Sequence, residues 1–445
     1  MRELPASWTV APIGELTSKV GSGATPRGGG ESYKSSGIPL IRSMNVINFG
    51  FKRDGLAYID VDQARALQNV EVQSGDVLLN ITGASIGRVT LAPPDLQGAR
   101  VNQHVCIIRP TDKLDARYLA AYLSSPAMQA EIGADHYGMT RPALTKQQIL
   151  EFEVPIPPGP EQTRIADKLD SLIEQIRHCR ERIDRVPQIL KRFREGVLEA
   201  AVSGRLTEEW RQRTAGSTWT SSSINDLCRT TFDGPFGSNL KSADYSASGI
   251  RVVRLENIGH LQFRGDLQTF ISCTKYRSLE KHTLLKDDVV FSSFVDEEVR
   301  VCLVPESLGP AINKADCFCL RIAPEKAIPQ FVAYRLATPD TYSDMKAMVR
   351  GVTRPRINIS HLKGYAIGVP PILEQAEIVR RVNELFAIAD RMKRRFEDVS
   401  LQVENLTPSV LTKAFRGELV PQDTNDEPAG EMLEQFRIKP EADVV

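Results

Sequence analysis

The strongest constraint on this chain is an apolar repeat that occurs twice. Ile165, Leu169, Leu172, Ile176, Cys179, Ile183, Val186, Leu190, Phe193 and Val197 keep an alternating four- and three-residue spacing, with charged residues filling most places between. Adding 213 to each number gives Ile378, Val382, Leu385, Ala389, Met392, Phe396, Val399, Val403, Leu406 and Val410, a second seam in the same register. A helix with one narrow apolar stripe cannot bury it alone. The spacing therefore predicts two long coiled-coil helices that serve as each other's partner.

Both stretches open and close alike. Pro157-Pro158 precedes Glu161-Gln162, and Pro370-Pro371 precedes Glu374-Gln375, which places helix-starting prolines and first-turn carboxylates at the same end. Gly204 and Gly417 stand where C-terminal caps are expected. Pro187 and Pro408 each remove a backbone donor, so a kink or restart is expected in both copies. The span from Ile165 to Val197 is about 50 Å at 1.5 Å per residue. If the helices pair antiparallel, that length can set two domains roughly 34–36 Å apart, one turn of duplex.

The repeat continues upstream with small drifts in offset. Gly37–Asn45 matches Gly249–Asn257; Asp76-Val77 with Arg88 and Pro93 matches Asp288-Val289 with Arg300 and Pro305. Val101-Asn102 is aligned with Ile312-Asn313, and Gly138–Pro142 with Gly351–Pro355. Runs rich in Val, Ile, Leu and Phe at Asp76–Asn80, Val101–Arg109, Asp288–Ser292 and Cys317–Ile322 read as strands, and Arg117–Leu123 and Gln330–Leu336 as helices. The fold class expected is α+β, with two mixed α/β domains separated by two long antiparallel coiled-coil helices in a pseudo-two-fold internal repeat. The boundaries expected are a first domain over 1–157, a helix over 158–204, a polar connector over 205–218, a second domain over 219–370, a helix over 371–417 and a tail over 418–445. Within the tail, Pro421–Gly430 has the composition of a disordered segment before a short final helix.

Composition narrows the function. Lys+Arg and Asp+Glu are both 56, which argues against a nucleic-acid coat protein that works by bulk positive charge. Seven scattered cysteines without framework spacing fit a reducing compartment, and the chain has no apolar run of transmembrane length, so a cytoplasmic protein is expected. Val20–Pro26 contains Gly21 and Gly23 but is not followed by a helical pattern, so it suits an irregular loop rather than a nucleotide cradle. Neither an Asn/Asp-Pro-Pro-aromatic motif nor a phosphate-loop lysine occurs. Cys317 and Cys319 read as alternating residues of a buried strand, not as metal ligands. Asp296-Glu297-Glu298 has Ala84-Ser85-Ile86 as its counterpart and reads as a variable surface loop. No catalytic residue, metal or cofactor is expected on this chain.

Pro187-Gln188-Ile189-Leu190-Lys191-Arg192-Phe193-Arg194, Gly204–Trp210, Glu374–Val382 and Ala414-Phe415-Arg416-Gly417-Glu418-Leu419 carry a family likeness. From Leu4 to Leu419 the chain resembles the DNA-specificity subunit of type I restriction-modification systems. The resemblance implies two target-recognition domains that each read half of a split double-stranded DNA site. It also implies two methyltransferase subunits and restriction (motor) subunits as partners, with S-adenosylmethionine, ATP and Mg held by those partners. Two other readings are weighed against it: a coiled-coil scaffold without DNA specificity, and a stand-alone nucleic-acid-modifying enzyme.

The duplication sorts candidate DNA contacts. A residue identical in both halves cannot distinguish two different half-sites, so Arg42/Arg254, Asn45/Asn257, Arg88/Arg300, Asn102/Asn313 and Arg141/Arg354 are candidates for phosphate contact or for structural work. Residues that differ in equivalent loops are the better base readers: Thr25, Arg27, Thr82 and Ser85 in the first half, Asn239, Lys241 and Glu297 in the second. On the helices, the exposed Arg177, Arg180, Arg182, Lys191, Arg192 and Arg194 either touch DNA backbone or solvate the rod.

Overall fold

The computed structural model describes residues 4–26, 29–134, 143–214, 218–295, 299–349 and 356–437. It divides into two compact units, 1–184 with 398–445, and 185–397. Each unit therefore takes one globule together with the helix halves nearest to it, rather than following the chain-order boundaries.

In the first unit a four-stranded antiparallel sheet has the order Thr17–Ser22, Val105–Pro110, Val77–Asn80, Val89–Leu91. Val77, Leu79, Cys106 and Ile108 point into a core shared with the helix Ala116–Leu123, while Leu78, Val105 and Ile107 point into a second core on the other face. Burial on both faces is why these strands are continuous apolar runs in the sequence. The second unit repeats the order with Cys228–Phe232, Cys317–Ile322, Val289–Ser292 and Val301–Leu303. Val289, Phe291, Phe318 and Leu320 face the core containing helix Pro329–Leu336, and Val290, Cys317 and Cys319 face the other. The two cysteines are thus buried strand residues, and burial drives both thiols far above their ordinary range.

The expected strand Val101–Arg109 is two strands, Arg100–Val101 and Val105–Pro110, in different sheets. Arg100–Val101 pairs in parallel with Ile38–Ile41, as Ala311–Asn313 does with Ile250–Val253. This register also corrects the alignment. Ile41 faces Val101 and Val253 faces Asn313, so the counterpart of Asn102 is Lys314 and that of His104 is Asp316.

A buried ion pair recurs at the heart of each sheet. Asp76, with no exposed surface, accepts from Arg109 at 2.7 and 2.8 Å and from the backbone of Gln73 at 2.7 Å. Asp288 does the same with Arg321 at 2.9 and 2.8 Å and with Leu285 at 2.7 Å. Loss of one partner would strand a charge in an apolar surrounding, which is the costly way to break such a pair.

The helices form as the seam requires, with three differences. The first is interrupted, Gly159–Ile183 then Val186–Val202, with Pro187 in the opening turn of the second piece. The second runs unbroken from Ile372 to Ala414 with Pro408 inside it, so the break expected there does not occur. Pro408 is exposed, and the carbonyl it leaves unpaired belongs to the equally exposed Glu404, where water can serve it. Third, the seam is not uniformly buried. Ile165, Leu169, Ile176, Ile378, Val382 and Val403 are buried, Leu172, Ile183, Leu190, Leu385 and Phe396 half-buried, but Phe193, Met392 and Leu406 are 39%, 54% and 42% exposed. The buried positions nearest the globules gain a third wall from them; elsewhere one partner helix covers only part of a large side chain.

Pairing within each unit is antiparallel. In the first, Ile165 and Leu169 share a core with Leu411 and Phe415; in the second, Val197 and Ala201 meet Ile378 and Val382 while Arg194 reaches Asp390. Gly204 and Gly417 cap the helices at φ 78° and 70°, as expected of a left-handed C-terminal residue.

The Glu-Gln pair that opens each rod helix proves to be a buried staple. Glu161 accepts from Trp8 Nε1 at 3.1 Å and from Gln422 Nε2 at 2.6 Å; Glu374 accepts from Trp219 Nε1 at 3.2 Å and from Thr207 Oγ1 at 2.8 Å. Burial raises the Glu161 carboxyl above its ordinary range, with both hydrogen bonds working against the shift. Gln162 and Gln375 likewise bond the backbones of Lys113, Asp115 and Pro157, and of Ile328 and Pro370. This corrects two expectations. The connector is not simply a polar link, since Arg205–Thr207 and Glu208–Arg213 are helical and Thr207 is buried. Pro421–Gly430 is ordered too: Gln422 reaches Glu161, and Asp426, whose side chain is 9% exposed, pairs with Arg164 at 2.7 Å before the final helix Ala429–Arg437.

Candidate nucleic-acid interface

The same three features converge at one edge of each four-stranded sheet. In the first unit they are the turn 102–104, the loop after Thr17–Ser22, and the loop after Val77–Asn80, where Thr82 bridges to Ala143. In the second they are the turn 314–316, the loop after Cys228–Phe232, and Phe294 bridged to Arg356. The loop backbone must press close to the turn. A Cβ on Gly23 would lie 1.8 Å from the Val101 carbonyl oxygen, and one on Gly234 2.1 Å from the Lys314 carbonyl carbon. Gly23 is therefore a packing glycine.

On this common frame the two faces carry different chemistry. Among the described residues the turn of the first is polar: Thr25 bonds Gln103, Gln103 Nε2 lies 3.1 Å from His104 Nε2, and Thr82 Oγ1 lies 2.6 Å from His104 Nδ1. Ser85 is half-buried and Arg88 exposed on the adjoining loop. The second is charged and aromatic. Arg356 pairs with Asp316 at 3.3 Å and lies 5.1 Å from the centre of the Phe294 ring; Lys314 donates to Tyr245 Oη at 2.8 Å. Beside them burial pushes the Asp233 carboxyl up to about 6, although the backbone N–H groups of Gly234 and Asp316 favour its charge. Asn239 and Lys241 are exposed on the flanking loop.

The shared candidates divide cleanly. Asn45 and Asn257 are buried turn clamps: each accepts from the backbone of its arginine, Arg42 or Arg254, and donates to carbonyls across the turn, Lys52 in one and Arg264 and Leu267 in the other. Asn102 is 4% exposed and accepts from the His104 backbone, and Asn313 is fully buried and donates to the Cys317 carbonyl. These four side chains are buried and bonded within their turns. Arg42 bonds the Gly55 carbonyl and stacks over Tyr33, while Arg254 pairs with Glu256 at 2.8 Å; both remain half-exposed. Arg300 is half-buried. Arg27, Arg141, Glu297 and Arg354, with the rest of Asp296–Glu298, lie outside the described residues. Of the six rod candidates, Arg177 is paired with Glu174 and Glu181, and Arg194 with Asp390, while Arg180, Arg182, Lys191 and Arg192 are exposed.

Sequence reasoning missed Gln103, His104, Lys314, Asp316 and Arg356. The signal was present, since they differ between equivalent positions, but the one-residue slip at Asn102 hid the first four.

The profile of the type I restriction modification DNA specificity domain matches residues 5–188 and again 217–399. The chain belongs to this family. The two matched segments correspond to the two copies of globule and rod. Among relatives in the family, the chain is 28% identical over 441 residues to the EcoKI specificity subunit of Escherichia coli K12, covering 94% of this chain and 91% of that one. It is 30% identical over 416 residues to the Escherichia coli EcoBI specificity subunit, covering 88% and 84%. Two solved structures share the fold. One, described as the basis of complex assembly and conformational transition of a type I R-M system, aligns with TM-score 0.70 at 19% identity over 94% of this chain and 100% of that one. The HsdS subunit from Thermoanaerobacter tengcongensis aligns with TM-score 0.60 at 18% identity over 94% and 98%. No helix among the described residues is long and apolar enough to cross a membrane.

Proposed function

We propose that this chain supplies the DNA specificity of a type I restriction-modification complex by reading a bipartite, asymmetric site, one half with each unit. In this reading it performs no chemistry itself. It recruits two adenine-N6 methyltransferase subunits and, with restriction subunits, an ATP-dependent endonuclease; S-adenosylmethionine, ATP and Mg are held by those partners, in the cytoplasm. One observation supports it above the others: a single frame, built twice in one chain, carries two faces of different hydrogen-bonding character at matched positions. A scaffold has no need to diversify those positions while keeping the frame, and an enzyme has no need of two unlike sites.

The test is selection of DNA from a random library by the purified complex of this chain with its methyltransferase subunits. The expected product is two short specified blocks, different from each other, separated by unspecified bases. Enrichment of no sequence would favour the scaffold, and turnover of methyl donor by the chain alone would favour the stand-alone enzyme.

A further inference from the structure

We propose that Arg356, held by Asp316, reads a guanine in the half-site met by the second unit. The proposal rests on the DNA-specificity reading above and names the contact that would carry half of it.

Arg356 sits at an isolated bridge opposite Phe294, at the edge where turn and loops converge. Its guanidinium is fixed from two directions, by the Asp316 carboxylate at 3.3 Å and by the Phe294 ring at 5.1 Å. The carboxylate is fixed in turn: Asp316 Oδ1 accepts from Ser293 Oγ at 3.1 Å, and the Asp316 backbone N–H donates to Asp233 at 3.1 Å. Asp316 adopts φ 70°, a left-handed conformation that Asp tolerates better than most residues other than glycine. The side chain of Arg356 nevertheless remains 48% exposed. A planar fork, oriented in advance with part of its donor edge toward solvent, matches the paired O6 and N7 acceptors of guanine in the major groove.

A phosphate contact is the obvious rival for any exposed arginine, and two observations oppose it. The carboxylate beside the guanidinium would repel a phosphate at short range, whereas a base edge carries no net charge. Contacts that only position the duplex are also expected at shared positions, yet the counterparts of Arg356 and Asp316 are Ala143 and His104. The pair belongs to one half alone.

The selection experiment decides this when repeated with Arg356→Ala, Arg356→Lys and Asp316→Asn, all as complexes with the methyltransferase subunits. Arg356→Ala should relax a single guanine position in one block and weaken binding to the parent site roughly 5- to 150-fold, the worth of one bidentate base contact. Arg356→Lys should keep part of the guanine preference, and Asp316→Asn should weaken it without removing it. The other block should be unchanged in all three, which also reports that the variants are folded. Retention of the parent motif by Arg356→Ala with uniformly weaker binding and a shallower salt dependence would assign Arg356 to phosphate and overturn the proposal. Changes in both blocks would overturn it as well. Failure of the wild-type complex to select any sequence would overturn the DNA-specificity reading itself, and this assignment with it.

Discussion

In the first unit Arg117, on the buried helix, reaches Asp167 at 2.6 Å and Asp170 at 3.2 Å on the rod, and pairs with Asp115 at 3.0 Å. The matched rod position in the second unit is Asn383, and there Tyr334 donates to it while its ring packs edge-on against Phe386 at 5.9 Å. At this matched position one globule meets its helix through ions and the other through an aromatic ring with a neutral hydrogen bond, although the first is also tied by aromatic packing elsewhere, where Tyr118 and Tyr122 meet Phe415 edge-on. The frame around them is nearly superposable in its logic, with the same buried ion pair, the same tryptophan-glutamate staple and the same turn-clamping asparagine. What is held constant is therefore the position of the candidate edge, while both the lock behind it and the face in front of it vary.

The largest effect should come from the shared frame. Asp76→Ala and Asp288→Ala should each cost about 3 kcal/mol or more, because each leaves an arginine without its buried partner. Chemical denaturation followed through Trp8 for the first unit and Trp219 for the second would show this, and a large loss in one unit with tolerance in the other would break the equivalence of the frames. The rods come next. Pro408 sits inside a helix and Pro187 at the start of one, so Pro408→Ala should stabilise by about 1–3 kcal/mol while Pro187→Ala should change stability by less than about 0.5 kcal/mol. Equal effects in thermal melts would mean that the two helices are continuous or broken alike.

The locks should differ in their response to salt rather than in size. Arg117→Ala and Tyr334→Phe should each cost about 1 kcal/mol at low ionic strength, and only the first loss should fade at 1 M salt, where the screening length is about 3 Å. A further effect concerns pH. The Asp233 carboxyl is raised from 3.8 to about 6 by burial, so between those values the folded chain binds more protons than the unfolded one, and stability falls as pH rises through the window. Asp233→Asn cannot titrate, and its stability relative to wild type should rise from pH 4 to pH 6. A flat difference would show that this carboxyl is not desolvated.

Much of this organisation was legible in the sequence because it rests on periodicity. The 213-residue repeat of the seam fixed two helices and their pairing, and continuous apolar runs such as Val77–Asn80 and Cys317–Ile322 located strands covered on both faces. What was not legible depended on contacts far apart in the chain. The composition of Pro421–Gly430 suggests disorder, but Gln422 and Asp426 are held by Glu161 and Arg164, more than 250 residues away. Asn45 and Asn257 were sorted correctly as shared residues, yet only their burial distinguishes a turn clamp from a phosphate contact. The candidate base readers lie on loops that converge at this edge, but Arg356 was missed because it acquires meaning only through Asp316, Ser293 and Phe294.

The central claim is that one chain carries two different readers on one frame. Its most direct test is a map of N6-methyladenine in host DNA with this gene present and with it deleted. The account expects a methylated motif that disappears with the gene and consists of two unlike blocks flanking a gap of unspecified bases. A gene-dependent motif made of one continuous block, or of two identical half-sites, would contradict it.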